Sequence, residues 1–580
     1  MTVYRLFHRC ISGFCQGLFL VSGVFATPVA VAQNETNEIV LTGHDLTTAQ
    51  VASISRSNSP VQLNPEAMER VRQSYQLIVA ATTAGAKIYG VNFGVGQNKD
   101  RAIFTGSILD HREESEKFNE RNLRTTSAGT GPELDEGTVR AAMAIRLNGL
   151  LVGASGARPE VASMYAQFLN LRITPLIPST GSVGEGDISI LSHIGLAMMG
   201  EGEVLYKGRR LNAAEALKQA KLQPLRPFAR DSLAIMSSNA YNQALATRIV
   251  EELTRFNSTA ELVFALSLEG INGNISPFLP TNQELRKFHH ANGSSSRILR
   301  HLKGSYLNSE DSSRALQDPL SYRTAAYHFG GLSQTLETLK TLLTKDLNSS
   351  SDNPAIVVGV QPRLRAGSQE KSYYIQTPEI SGAIIPSAGF EPFPWSLHLD
   401  SLKNALNQLT IDSAQRTLKL DDPNFTHLER FLSAGNGSLG FSASQKVLAQ
   451  LVQQNQKLAT PNINTILSMA GGIEDVATNA PQSATELLEM IKNANQVLAI
   501  EALHAAQAID LRLKSRPDLA QGKQSARLQK ALREAVPFLD EDRALSGDFL
   551  KAAQVLTTLS SDLYHRPSDS TGLRCDGVFL

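Results

Sequence analysis

SATELLEMIKNANQVLAIEALHAAQAIDLRL, Ser483 to Leu513, is the stretch whose reading decides the fold class. Its apolar residues recur at helical spacing, with no glycine or proline to interrupt them. A helix of roughly thirty residues belongs to a bundle or an oligomer core. Val139–Leu150, Ile188–Met199, Ser396–Leu418 and Ser444–Leu458 carry the same periodicity, so the chain is expected to be mainly α. Strand signals are few and short, Lys371–Ile375 among them. Glycine and proline punctuate 176–187, 269–280, 352–364 and 384–394.

The chain has 580 residues, 55 basic and 55 acidic, with 42% hydrophobic and 19% charged side chains. These proportions are those of a folded globular protein with length for a large core. The balanced charge argues against nucleic acid as a partner. The first 32 residues read as a signal peptide. Arg5 and Arg9 precede an apolar run from Ile11 to Phe25, and Ala30-Val31-Ala32 forms a small-x-small cleavage site. The run is short for a membrane span, so the remainder is expected to be exported, to the periplasm, with no membrane association. Removing two arginines and no acid from the 55 of each sign leaves it net −2. Cys10 and Cys15 leave with the peptide, and Cys575 alone forms no internal disulfide. Beyond this leader the expected organisation is a flexible segment at 33–60, an active-site domain at 61–240, a central helical bundle at 241–515 and a C-terminal cap or arm at 516–580.

Four segments could carry chemistry. The glycine-dense turn Gly181-Ser182-Val183-Gly184-Glu185-Gly186-Asp187 feeds a helix, whose free N–H groups suit a developing negative charge. Glu185 and Asp187 disfavour a phosphate cradle, and a plain turn with Asp187 as helix cap is the structural alternative. Lys87 to Gly96 (KIYGVNFGVG) is a loop with one ionisable phenol, Tyr89, that could serve as a lid or be surface only. In QDPLSYR, Arg323 could grip a carboxylate or make a structural ion pair with Asp318. NSSSDNP, Asn348 to Pro354, is a turn rich in capping side chains. His289 and His290 are adjacent, no HExxH occurs and the cysteines are too few for a cluster, so no metal site is expected.

Taken in order, these segments resemble the aromatic amino acid ammonia-lyase family. YGVNFGVG resembles its tyrosine loop. Arg146-Leu147-Asn148-Gly149-Leu150 with Gly153-Ala154-Ser155-Gly156 resembles its R-x-N-x-L…G-x-S-G helix. GSVG-x-GD resembles the cofactor loop, QDPLSYR the Q-D-x-Y-S-x-R motif, and NSSSDNP the N-S-x-x-D-N-P motif. Glu474-Asp475 falls at the family's Gln-Glu-Asp segment. The resemblance implies a helical fold, a homotetramer with shared active sites, and elimination of an amine from an aromatic amino acid to give an α,β-unsaturated acid. It implies Tyr89 as the base for the C-β proton and Arg323 as the carboxylate anchor. Gln317, Tyr322, Asn353, Phe390 and Glu474 follow as pocket residues; apart from the resemblance, Glu185 is counted as catalytic with Tyr322, and Glu391 joins the substrate-binding residues.

The sequence departs from the family where it matters most. The methylidene-imidazolone electrophile is made there from Ala-Ser-Gly, but this loop is one residue shorter, and Glu185 stands where the dehydrating serine belongs. No such cofactor is expected from Gly184-Glu185-Gly186. The literal Ala154-Ser155-Gly156 lies in the helix motif and reads as a decoy. The family's Asn-Gly becomes Ser237-Ser238, its N-F-H-G becomes Gly389-Phe390-Glu391-Pro392, and the histidine of histidine-selective members is Thr126. A quaternary ammonium needs no electrophile to leave. The sequence is therefore compatible with an ergothionase-like branch that expels trimethylamine from a betaine. Glu185, kept ionised by the helix dipole, would pair with the cation, and Phe390 and Trp395 would supply a cation–π face. The alternatives are an ammonia-lyase acting on free histidine, phenylalanine or tyrosine, and a non-catalytic binding relative.

Overall fold

The computed structural model describes residues 38–435, 437–462 and 467–565; the signal-peptide reading and Cys575 lie outside them. Five helices carry the core: α1 (Glu136–Leu151), α2 (Ala240–Ile271), α3 (Ala325–Leu347), α4 (Phe393–Leu420) and α5 (Ala480–Ser515). The decisive stretch is α5. It starts three residues earlier than periodicity predicts because Pro481, which lacks an N–H, fits a first helical turn. At about 1.5 Å per residue, α5 and α2 are about 54 and 48 Å long. From Val497 to Ile509 every α5 residue is buried, so this segment is surrounded on all sides.

Burial on all faces brings polar groups inside, and they are paired. Glu501 of α5 receives both Arg416 Nε (2.5 Å) and Arg416 Nη2 (2.8 Å) from α4, with Ser413 Oγ at 2.6 Å. This two-pronged pair fixes the register of α4 on α5. The 32-residue α2 was not among the stretches singled out by periodicity, because nearly every position of its second half is buried and no polar stripe marks a face.

One continuous apolar cluster runs from Ile39 to Leu556. The segment 33–60, expected to be flexible, is ordered where described. Strand Ile39–Leu41 pairs in parallel with Val61–Leu63, and helix Thr48–Arg56 buries Val51 and Ile54. A capping box of Thr47 and Gln50 starts that helix, and its polar composition lies on the solvent face. At the other end, helices Lys523–Ala535 and Ser546–His565 place Leu528, Leu532 and Leu556 in the same core. The strand expected at Lys371–Ile375 is displaced: Ser368–Lys371 is a helical turn, and the strand is Tyr374–Gln376. Among the described residues no helix is long and apolar enough to cross a membrane.

A second, smaller cluster positions the chemistry. Ile88 and Val91 of the tyrosine loop pack with Leu77, Ile78, Phe228 and Ile356. Ile356 belongs to strand Ala355–Val358, which pairs antiparallel with Ser381–Ile385, itself paired with Tyr374–Gln376.

Candidate active site

Three helices begin around the turn 181–187: Ile188–Met198, α2 and α5. The turn is tied to each. Asp187 does not cap its own helix with its side chain, as the sequence suggested. Its Oδ2 accepts instead from Tyr241 N (3.0 Å) and Asn242 N (3.1 Å), in the first turn of α2. Ser182 Oγ donates to its other oxygen at 2.6 Å. Asn479 N, just before α5, donates to Val183 O at 2.8 Å. Gly186 N donates to Asn239 Oδ1 at 3.0 Å, while Asn239 Nδ2 bonds the Phe390 carbonyl. Asn239 thereby links this turn to the Phe390 loop, two positions beyond Ser237, where the family's asparagine falls.

A second set of ties brings in Asn353. Asp352 is fully buried between Arg146 (2.8 Å) and Arg230 (3.1 Å). Burial alone would raise the pKa of this carboxyl, and the two guanidiniums together hold it below the usual carboxylate range. Arg146 Nε also holds Ala234 O, and Arg230 Nη2 holds Asn353 O. The R-x-N and S-D-N-P stretches are thus mutual struts. Asn148 likewise bonds Leu347 O and Asn348 Oδ1.

The result is a chamber of about 660 Å³. Tyr89, Phe93, Glu185, Ser237, Asn353, Phe390 and Glu474 line it, with Lys87, Lys99 and Asp100 among its walls. Tyr89 Oη accepts from Gly96 N at 2.9 Å. Burial raises the phenol above its usual range, the Gly96 N–H opposes that, and Glu474 adds to it. The hydroxyl therefore lies within the field of a carboxylate in its own chamber.

Glu185 accepts from Thr478 N at 3.1 Å and shares a hydrogen bond with Glu391. Glu391 is anchored by Phe393 N at 2.7 Å. Burial first, then the Glu391 charge, pushes Glu185 up to about 8. Desolvation and a like charge thus oppose the ionisation of Glu185 that the helix dipole was expected to favour.

Of the nine residues expected at the site, five line one chamber: Tyr89, Glu185, Asn353, Phe390 and Glu474. Glu391 joins through Glu185. Tyr322 does not belong: it is fully buried, its hydroxyl 3.0 Å from Ser267 Oγ and 3.4 Å from Arg416 O, inside the bundle. The family's tyrosine corresponds to Leu320, two residues earlier, and half a helical turn separates a surface position from a core one. Trp395 is also buried, donating Nε1 to Asp346 at 2.7 Å, so it offers no cation–π face. Gln317 and Arg323 do not line the chamber of their own chain. Arg323 Nη1 donates to Gln317 Oε1 at 2.9 Å, on a surface where Leu316 is 95% and Leu320 63% exposed. Sequence reading assigned no role to Lys87, Phe93 or Asn239; the signal for Phe93 was its place inside the tyrosine loop.

The residues present do not fit a methylidene-imidazolone. Gly184 stands at the alanine position with φ +95°, and a Cβ there would lie 2.2 Å from Thr478 Oγ1. Glu185 has no Oγ to lose as water. Ser155, in the only literal triplet, is fully buried, its carbonyl bound by Arg230, and it does not line the chamber.

The aromatic amino acid lyase family model matches residues 46–534. A histidine ammonia-lyase of Sorangium cellulosum is 32% identical over 526 residues, covering 89% of this chain and 97% of that protein. Ergothionase from Treponema denticola, solved with desmethyl-ergothioneine sulfonic acid, has a TM-score of 0.81 at 33% identity, over 90% of this chain and 99% of that one. Tyrosine aminomutase from Streptomyces globisporus has a TM-score of 0.80 at 26% identity, over 91% and 98%.

Proposed function

We propose that this chain, which belongs to the aromatic amino acid lyase family and is a carbon–nitrogen lyase, expels a tertiary amine from the betaine of a histidine-like amino acid without an electrophilic cofactor. The observation that carries this reading is Glu185, a chamber carboxyl at the dehydrating-serine position. Likeness to an ergothionase at 33% identity supports it.

The chemistry balances within the chamber. Ionised Tyr89 takes the C-β proton, the C–H electrons form the Cα–Cβ double bond, and the C–N electrons leave with a neutral amine. Gly96 N–H stabilises the phenolate. A cation bound nearby lowers the Tyr89 pKa that burial and Glu474 raise, so substrate binding itself prepares the base. Phe93 and Phe390 supply the aromatic surface that a methylated ammonium or a ring requires. Glu185 pairs with the fixed positive charge. That charge disappears as the amine leaves, so Glu185 strengthens binding rather than stabilising the transition state, and its removal acts on KM. Gln317 and Arg323 reach the chamber of a neighbouring copy in a homotetramer. The leader read at residues 1–32 supports export of this activity, to the periplasm.

The test is a paired screen by near-ultraviolet absorbance. Histidine, phenylalanine and tyrosine are set beside their N-trimethyl betaines, with ergothioneine added. Turnover of betaines alone is expected. Turnover of a free amino acid, together with loss of one water in the intact mass, would establish an electrophile and overturn the reading.

A further inference from the structure

We propose that Ser237 is the specificity-determining residue for the methyl groups on the substrate's nitrogen, an inference that rests on the betaine reading above. Ser237 is 6% exposed and lines the chamber. Its N–H closes the short helix Asp231–Met236 by donating to Leu233 O at 2.9 Å, and its hydroxyl makes no hydrogen bond to any described residue. Ser238 beside it serves the fold instead: its Oγ accepts from Ala240 N at 3.3 Å and its carbonyl from Asp187 N at 2.7 Å. The space next to Ser237 is kept open by Gly186. A Cβ on Gly186 would stand 3.7 Å from Phe390 Cβ, 3.9 Å from Phe390 Cγ and 3.9 Å from Ser237 Oγ, at ordinary contact distance from each. A carbon-sized space is therefore left between Gly186, Ser237 and Phe390, one residue from Glu185. Gly186 has φ +65°, a backbone that disfavours any side chain which could fill it. Asn239, itself 1% exposed, fixes two of the walls by bonding both Gly186 N and the Phe390 carbonyl.

A quaternary ammonium asks more room of a site than an ammonium does, and fewer hydrogen bonds. It has no N–H to donate, and its positive charge is carried on the surface of its methyl groups. Those methyls suit an aromatic ring and an oxygen with free lone pairs. The corner offers the base of the Phe390 ring, the Ser237 hydroxyl and, next along the chain from Gly186, the carboxyl that pairs with the cation. Ser237 sets how much room there is. Its side chain ends at Oγ. The asparagine that the family has at this place is two heavy atoms longer, enough to fill a carbon-sized space, and it brings N–H donors that a cation repels. Ser237 thus admits the last methyl group of a trimethylammonium, which a longer side chain would exclude.

The experiment uses the purified full chain as wild type, Ser237→Asn and Ser237→Gly. It measures KM for N-trimethylhistidine and for its N-ethyl-N,N-dimethyl analogue, and the inhibition constant of N,N-dimethylhistidine, which is one methyl smaller. Ser237→Asn is expected to raise KM for the trimethyl compound about 10- to 100-fold, the effect of overfilling a packed site. The dimethyl compound loses much less, so the ratio of the two constants moves by about tenfold or more. Ser237→Gly opens the corner and should improve the ethyl analogue about fourfold relative to the trimethyl compound, the worth of one more buried methylene. Equal losses of trimethyl and dimethyl binding in Ser237→Asn overturn the inference, by showing a structural role, and leave the betaine reading intact. An unchanged ethyl-to-trimethyl ratio in Ser237→Gly overturns it as well. A wild type that turns over neither betaine overturns the betaine reading, and this inference with it.

Discussion

Binding of a quaternary ammonium should expel a proton from Glu185. Burial and the neighbouring Glu391 push this carboxyl up to about 8. Only its ionised form pairs with a cation. About one molecule in eleven is ionised at pH 7 and about one in a hundred at pH 6, so the apparent affinity falls about tenfold per unit below pH 8 and is level above it. Each tenfold step is about 1.4 kcal/mol. Tetramethylammonium, which has no titratable proton, is the clean probe. Calorimetry at pH 7 in two buffers of different ionisation heat should count about 0.9 proton released per cation bound. Glu185→Gln removes both the release and the slope. Glu391→Gln removes the like charge and moves the break in the slope to lower pH, which no general loss of structure would do. Affinity that is flat from pH 6 to 9 in the wild type, with heats independent of buffer, would refute the reasoning.

Three further outcomes follow from the same contacts. Tyr89→Phe should lower kcat by about 10²- to 10⁴-fold while leaving betaine affinity within about threefold, measured by stopped turnover and calorimetry. Asp352→Ala strands Arg146 and Arg230 in the core and should cost about 3–5 kcal/mol in urea unfolding, with no described acid positioned to replace it. Glu185→Gln should be the more thermostable protein at alkaline pH. The wild-type carboxyl has a folded value near 8 against 4.5 unfolded, so its contribution to stability is present below 4.5 and lost as pH rises to 8; the melting-temperature gap between the two proteins should widen across that window and then stay constant.

Much of the fold was legible because the long helices α4 and α5 keep a readable period, and the helix Ser444–Leu458 was bounded to the residue. Helix α2 was not, since a helix buried on all faces shows no polar stripe. The segment 33–60 misled because five of its few large apolar residues, Ile39, Leu41, Leu46, Val51 and Ile54, are used as anchors. Motif order singled out Tyr89, Glu185, Asn353, Phe390 and Glu474, which line one chamber. Tyr322 failed because residue type was matched across a two-residue offset, and a hydroxyl in the core has the same letter as one in a cleft. The protonation of Glu185 was out of reach for sequence reading. It depends on Glu391, which lies more than two hundred residues away and is brought to Glu185 where Asn239 ties their loops together.

The most direct test of the account places N-trimethylhistidine and histidine together in one tube and follows both by proton NMR. The account predicts that trimethylamine and the unsaturated acid appear in equal amounts from the betaine while histidine stays intact. Consumption of histidine at a comparable rate, with the betaine untouched, would contradict it.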